Sequence, residues 1–141
     1  MPSPDGDRLA FTALDRLYVS DADGSDVRSV GDRETTQQQP AWSPDGEWLA
    51  FTTWSEADQE GHLHKVRADG SGLTRLSTRP AIYRDPVWSP DGSRIVALRG
   101  DARAYLENSG PRAAFAANEV VWMPAEGGEA TLVMPANGRS E

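Results

Sequence analysis

The sequence predicts an all-β chain built of about three small antiparallel sheets, and three observations predict it. Ser-Pro-Asp-Gly occurs three times, at residues 3–6, 43–46 and 89–92. Each copy runs into a short apolar stretch: Arg8-Leu9-Ala10-Phe11-Thr12, Trp48-Leu49-Ala50-Phe51-Thr52 and Arg94-Ile95-Val96-Ala97-Leu98. A second turn then recurs, Asp21-Ala22-Asp23-Gly24-Ser25 and Ala68-Asp69-Gly70-Ser71, with the variant Ala125-Glu126-Gly127-Gly128. The order is kept three times at spacings of 40 and 46 residues, so a repeat unit organises the whole chain.

Each landmark has a physical reason. In Ser-Pro-Asp-Gly the serine opens a type I turn, proline supplies its fixed φ, aspartate takes the third position and glycine the fourth. A second apolar stretch follows the first: Leu17-Tyr18-Val19, Leu63-His64-Lys65-Val66 and Val120-Val121-Trp122-Met123. Asp-Gly after such a stretch is a strong hairpin signal. Residues 27–30, 73–76 and 131–133 then close each unit. With inner strands at 40–43 and 86–89, each unit is a meander of four short strands. Leu49 and Phe51 point to one face, and Trp48, Ala50 and Trp54 to the other. A strand apolar on both faces must be covered on both, which a stack of similar sheets provides. Four-stranded units of about 40–45 residues are β-propeller blades. The five tryptophans (42, 48, 54, 88 and 122) fall on strand positions and are expected to pack in the core.

A single partial propeller domain is therefore expected over 1–141, with blade one at 1–34, blade two at 35–80 and blade three at 81–136. Blade one is expected to lack its inner strand, because Ser-Pro-Asp-Gly begins at residue 3. Three blades fall short of the usual ring of about 4–8. An open arc leaves two apolar blade faces uncovered. The expected partner is thus either the remainder of a longer polypeptide or a second copy. Two copies would close a six-bladed ring, with the partner's residues 134–141 supplying the missing inner strand. Unit three departs from the repeat by inserting 99–118, which includes Asp101-Ala102-Arg103-Ala104-Tyr105-Leu106-Glu107. A surface loop or a short helix capped by Asp101 is expected there.

Composition narrows the function. The 141 residues carry 14 Lys and Arg against 22 Asp and Glu, a formal net charge of −8. Nucleic acid and anionic membrane surfaces need clustered basic residues and are poor partners for such a chain. No cysteine is present, which removes disulfides, thiolate catalysis and cysteine-ligated zinc. No apolar run approaches the roughly 18 residues of a membrane span. The start Met1-Pro2-Ser3-Pro4-Asp5 has neither the basic nor the apolar region of a signal peptide.

Trp42-Ser43-Pro44-Asp45-Gly46 with Leu49-Ala50-Phe51-Thr52, then Leu17-Tyr18-Val19 and Asp21-Ala22-Asp23-Gly24-Ser25 in the unit before, resembles the WD40-like (PD40) repeat of TolB-like propellers. Gln39-Pro40-Ala41-Trp42, Thr53-Trp54-Ser55, Gly61-His62-Leu63-His64-Lys65-Val66 and Tyr83-Arg84-Asp85-Pro86-Val87-Trp88 are similar to propellers fused to amidohydrolase domains. The resemblance implies a non-catalytic scaffold or protein-interaction module, and a periplasmic or exported setting. The amidohydrolase likeness implies, as the alternative, the propeller portion of a metal-dependent hydrolase. None of that hydrolase's catalytic domain lies in this chain, so no catalytic residue is carried over.

Four features of the sequence could carry chemistry. His62-Leu63-His64 has the spacing of a metal pair on a strand, but no third histidine exists, so two strand side chains on one face are expected. Asp21-Ala22-Asp23-Gly24-Ser25-Asp26 has Asp26 where a calcium loop needs glycine and Asp32 where it needs glutamate, so a hairpin turn is expected. Gly70-Ser71-Gly72 has the wrong spacing for a nucleophile elbow. No catalytic residue, cofactor site or metal site is therefore assigned. What remains is position: residues just before an inner strand lie at the mouth of a propeller's central channel, where ligand sites form. Those residues are Gln38 and Gln39 before Pro40, and Tyr83, Arg84 and Asp85 before Pro86. Gln39, Tyr83, Arg84 and Asp85 are the candidate channel-mouth contacts.

Overall fold

Eleven strands follow one another without a helix among the described residues, which are 1–31, 34–100 and 117–134 of a computed structural model. They are β1 (Arg8–Ala13), β2 (Arg16–Asp21), β3 (Arg28–Ser29), β4 (Thr36–Trp42), β5 (Trp48–Ser55), β6 (Glu60–Arg67), β7 (Thr74–Arg75), β8 (Ile82–Trp88), β9 (Arg94–Gly100), β10 (Ala117–Pro124) and β11 (Thr131–Met134). They form three antiparallel meanders: β1-β2-β3, β4-β5-β6-β7 and β8-β9-β10-β11. These sheets are blades one, two and three.

The Ser-Pro-Asp-Gly turns join inner to second strands. In each, the glycine N–H donates to the serine carbonyl at 2.9 Å, and the glycine φ is +77°, +74° or +75°. Only glycine takes that backbone at no cost. The aspartate accepts the serine hydroxyl (2.6 Å at Asp5, 2.5 Å at Asp45, 2.7 Å at Asp91) and a backbone N–H two residues on. Hydrogen bonds to the ionised form favour it. The carboxyls of Asp5, Asp45 and Asp91 are accordingly held below the usual carboxylate range, that of Asp91 at about 2, chiefly by the Ser93 N–H.

Strand alternation builds two cores. Ala10, Leu17, Val19 and Val30 of blade one meet Leu49, Phe51 and Val66 of blade two. Ala50, Leu63 and Leu76, from the opposite face of blade two, meet Tyr83, Ile95, Ala97, Val121 and Met123 of blade three. Among the described residues, blade two is therefore packed on both faces and each end blade on one. The expected opposition of Leu49 and Phe51 to Ala50 is what divides the two cores.

Three details differ from the sequence reading. The inner strands are longer than 40–43 and 86–89, starting at Thr36 and Ile82. Blade one does carry the last residues of an inner strand, because Met1 and Ser3 pair with Ala10 and Arg8 at 2.8–2.9 Å. That stretch of β1 is already filled, so residues 134–141 of another copy cannot take it. The tryptophans also divide. Trp42 is buried, while Trp48 holds Lys65 and Arg67 over its ring (4.3 and 4.5 Å) and Trp122 holds Arg94 (4.2 Å). The expected Asp101-capped helix lies outside the described residues.

Candidate channel-mouth site

The inner strands of blades two and three share an irregularity that positions the candidate residues. The β4–β5 ladder slips between Gln38 and Ala41, and the β8–β9 ladder slips between Arg84 and Val87. Pro40 and Pro86 cause the slip, since proline has no N–H to give the ladder and bars the residue before it from the right-handed helical region. At the slip itself, Gln39 and Asp85 sit at φ of +56° and +53°. A non-glycine residue there costs on the order of 1–3 kcal/mol, and such residues cluster where a site needs them.

The two bulges are tied to each other. Gln39 Oε1 accepts the Asp85 N–H at 2.8 Å, and Gln39 Nε2 donates to Asp85 Oδ1 at 3.2 Å. This exchange satisfies the N–H that the slipped ladder leaves over and ties the two inner strands together at these positions. One blade back, Gln38 Nε2 reaches Asp15 Oδ1 at 3.3 Å, and the Gln37 N–H reaches the Asp15 carbonyl at 2.9 Å. Asp15, in the β1–β2 hairpin, thus belongs to the same rim. Its signal in the sequence is Leu14-Asp15, a two-residue loop at φ +51° and +61° that brings the hairpin tip close.

The four candidates do not behave alike. Asp85 is exposed, and Gln39 on β4 and Arg84 on β8 are half-buried. Tyr83 is 4% exposed, its ring lies between blades two and three, and its hydroxyl donates to the Arg79 carbonyl at 2.6 Å. Tyr83 is thus a junction residue rather than a mouth contact, because alternation along β8 turns it inward. Its equivalent one blade back, Gln37, is fully buried and accepts the Leu17 N–H at 2.9 Å. Polar Gln37 shows no such role in sequence; the signal that finds it is its repeat position, five residues before the inner-strand tryptophan, as Tyr83 is before Trp88.

The histidines are placed as strand residues. His64 stacks on Phe51 (ring centroids 5.7 Å) and lies 3.3 Å from the Thr53 hydroxyl. His62 is buried, with Nδ1 2.7 Å from the Ser77 hydroxyl and Nε2 3.9 Å from Glu60. Ser77 Oγ already accepts the Leu63 N–H at 3.0 Å and is 3% exposed, so it is not a nucleophile presented to substrate. Burial, then the Arg75 charge, lowers the His62 pKa, against the opposing pull of Glu60. A histidine depressed in the folded state binds fewer protons than in the unfolded chain. Its contribution to stability is thus full above pH 6.5, the ordinary value, and is lost as pH falls. We expect the melting temperature to drop between pH 7 and 5, and His62→Gln to flatten that drop, as followed by circular dichroism.

The aspartate turns are hairpins. Gly24 N–H donates to Asp21 O at 2.9 Å and Gly70 N–H to Arg67 O at 2.8 Å. Asp23 and Asp69 spend Oδ1 on the hydroxyls of Ser25 and Ser71 at 2.5 and 2.6 Å. Among the described residues no group of three or more His, Asp or Glu side chains could hold a metal. No described helix is long and apolar enough to cross a membrane.

Comparison with known proteins gives the same architecture. The family model of the TolB β-propeller domain, PD40, matches residues 2–114. A candidate tricorn protease homolog (homolog 2) of Streptomyces coelicolor is 38% identical over 68 residues, covering 47% of this chain and 6% of that protein. Among solved structures, a candidate TolB from Agrobacterium tumefaciens superposes with a TM-score of 0.72 at 23% identity, over 93% of this chain and 46% of that one. TolB from Acinetobacter baumannii superposes with a TM-score of 0.62 at 21% identity, over 95% and 31%. The chain spans less than half the length of each of these proteins.

Proposed function

This chain belongs to the PD40 family of TolB β-propeller domains, and from that premise we propose that it is a non-catalytic protein-interaction module working within a larger protein or assembly. One observation carries the reading. The rim of the inner strands is fixed in a strained, mutually bonded geometry at Gln39 and Asp85, while the polar groups with catalytic potential, His62 and Ser77, are buried and bonded to each other. A strained, exposed carboxylate such as Asp85, next to the Arg84 cation, suits recognition of a partner's polar segment. Arg84 supplies a cation for carboxylates and Asp85 an acceptor for N–H and ammonium groups. On the same family grounds, the periplasm or another exported compartment is the proposed setting.

The test is selection of peptides from a random display library on the full chain, followed by affinity measurement on the Arg84→Ala, Asp85→Ala double variant. Selected peptides are expected to lose roughly tenfold or more in affinity, a hot-spot-sized effect. The melting temperature is read alongside: Asp85→Ala leaves an alanine at φ +53° and takes one acceptor from Gln39, so a drop of a few degrees is expected and the affinity is measured well below it. Equal affinity for the double variant sinks the proposal.

A second reading is favoured by the 38% identity to the tricorn protease homolog: the chain as the propeller portion of a peptidase, admitting or excluding its substrates. This reading predicts selected peptides that are cleaved when the module is joined to its catalytic part, and none cleaved by this chain alone.

A further inference from the structure

A groove opens between blades two and three on the side of the Ser-Pro-Asp-Gly turns, lined by residues of both. Its volume is about 310 Å³, at the lower end of the range for small-molecule sites. Trp48, Trp88 and Ala125 give it aromatic and apolar surface, Lys65 of β6 gives it one ammonium, and Asp45, Asp91 and Glu126 give it carboxylates. The equivalent groove between blades one and two holds about 220 Å³, has no tryptophan in its lining, and its Arg28 is already paired with Asp26. The repeat thus supplies the space, and the side chains of the second junction supply a different chemistry.

Lys65 breaks the pattern of the repeat. Its register partner is Ala50, and the same step in the other units, Ala10 to Val19 and Val96 to Trp122, ends on an apolar residue. Only blade two places an ammonium there. Lys65 is half-buried, with Nζ 4.3 Å from the centre of the Trp48 ring, and among the described residues it makes no hydrogen bond and no ion pair. Burial lowers its pKa, Glu126 opposes this, and Arg67, over the same ring at 4.5 Å, adds to it. A cation partly withdrawn from water without an acceptor costs free energy that an anionic group on a ligand would recover. The carboxylates are placed to take donors: Asp45 and Asp91 use Oδ1 for the bonds of their own turns, and Glu126 is exposed.

A ligand carrying only an anion would face three carboxylates here, and one carrying only a cation would face Lys65. A zwitterion meets both. We propose that the groove between blades two and three binds a small amino acid with an apolar side chain, its carboxylate on the Lys65 ammonium, its ammonium on the Asp91 and Glu126 carboxylates, and its side chain against Trp88 and Ala125. The groove shares no residue with the channel mouth, so the peptide-affinity test above and the test below fail independently.

The test is isothermal titration calorimetry of the full chain with L-leucine, L-phenylalanine, leucinamide and N-acetyl-L-leucine. The free amino acids are expected to bind with Kd on the order of 0.1–1 mM, which suits ligands this small. Leucinamide lacks the carboxylate and N-acetyl-L-leucine lacks the ammonium, so each should bind roughly tenfold more weakly than L-leucine. Lys65→Met should weaken L-leucine roughly tenfold and leave leucinamide unchanged, because the lysine acts on the carboxylate alone. Val19 and Trp122 at the equivalent positions show that the strand accepts an apolar residue there, and circular dichroism checks the fold. Glu126→Gln, at an exposed turn, should weaken L-leucine and leave N-acetyl-L-leucine unchanged. Saturable heat with neither free amino acid would overturn the proposal outright. Unchanged L-leucine affinity in a folded Lys65→Met would overturn it by placing the ligand elsewhere.

Discussion

Phe51→Ala is expected to lower the free energy of unfolding by about 3–5 kcal/mol, the range for deleting a large aromatic side chain from a core. Phe51 is fully buried and lies in the junction between blades one and two, among Leu17, Val19 and Leu49. Its ring also stacks on His64 at 5.7 Å. The cavity cannot be refilled cheaply, because its walls are β-sheets pinned by continuous ladders on both sides. Urea denaturation read by tryptophan fluorescence measures it, as a lower midpoint at unchanged slope. A loss under about 1 kcal/mol would mean that blades one and two do not share a packed junction.

Gly61→Ala is the second large effect, and its cause is different. A Cβ at Gly61 would come within 2.4 Å of the Ala81 carbonyl oxygen and 3.0 Å of the Thr53 carbonyl oxygen. Both obstacles are backbone, so no side chain can swing away. The Ala81 N–H also donates to the Gly61 carbonyl at 2.9 Å, so any shift to relieve the clash breaks the hydrogen bond that ties the start of blade three to blade two. We expect a loss of about 3 kcal/mol or more, at the upper end for overpacking. Gly70→Ala, by contrast, meets nothing closer than 3.9 Å and is strained only through its φ of +92°. A Gly61→Ala variant as stable as wild type would refute the close approach of the two blades.

The repeat made most of the fold legible. Ser-Pro-Asp-Gly and Asp-Gly mark turns because their residues have the backbone preferences those turns demand, and the alternation of Leu49, Ala50 and Phe51 reports two covered faces. The inner strands were harder to read. Thr36, Gln37 and Gln38 form strand with polar side chains, because Gln37 is buried as a hydrogen-bond partner of Leu17 rather than as an apolar one. The candidate site was legible by position but not by role. Gln39 and Asp85 are joined across 46 residues of sequence, a pairing that depends on two proline-induced bulges stacking in register. Tyr83 was indistinguishable from its neighbours in sequence, yet a single step of strand alternation turns it into the core.

The central claim is that blade two is covered on both faces, while among the described residues blades one and three each share only one packed core. Hydrogen exchange of the full chain, followed by mass spectrometry, tests it directly. The account predicts the slowest exchange in β5 and β6, which include the fully buried Leu49, Phe51, Leu63 and Val66, and faster exchange in β1, β2, β9 and β10. Equal protection across all three sheets would contradict it, because it would mean that the outer faces of the end blades are already covered.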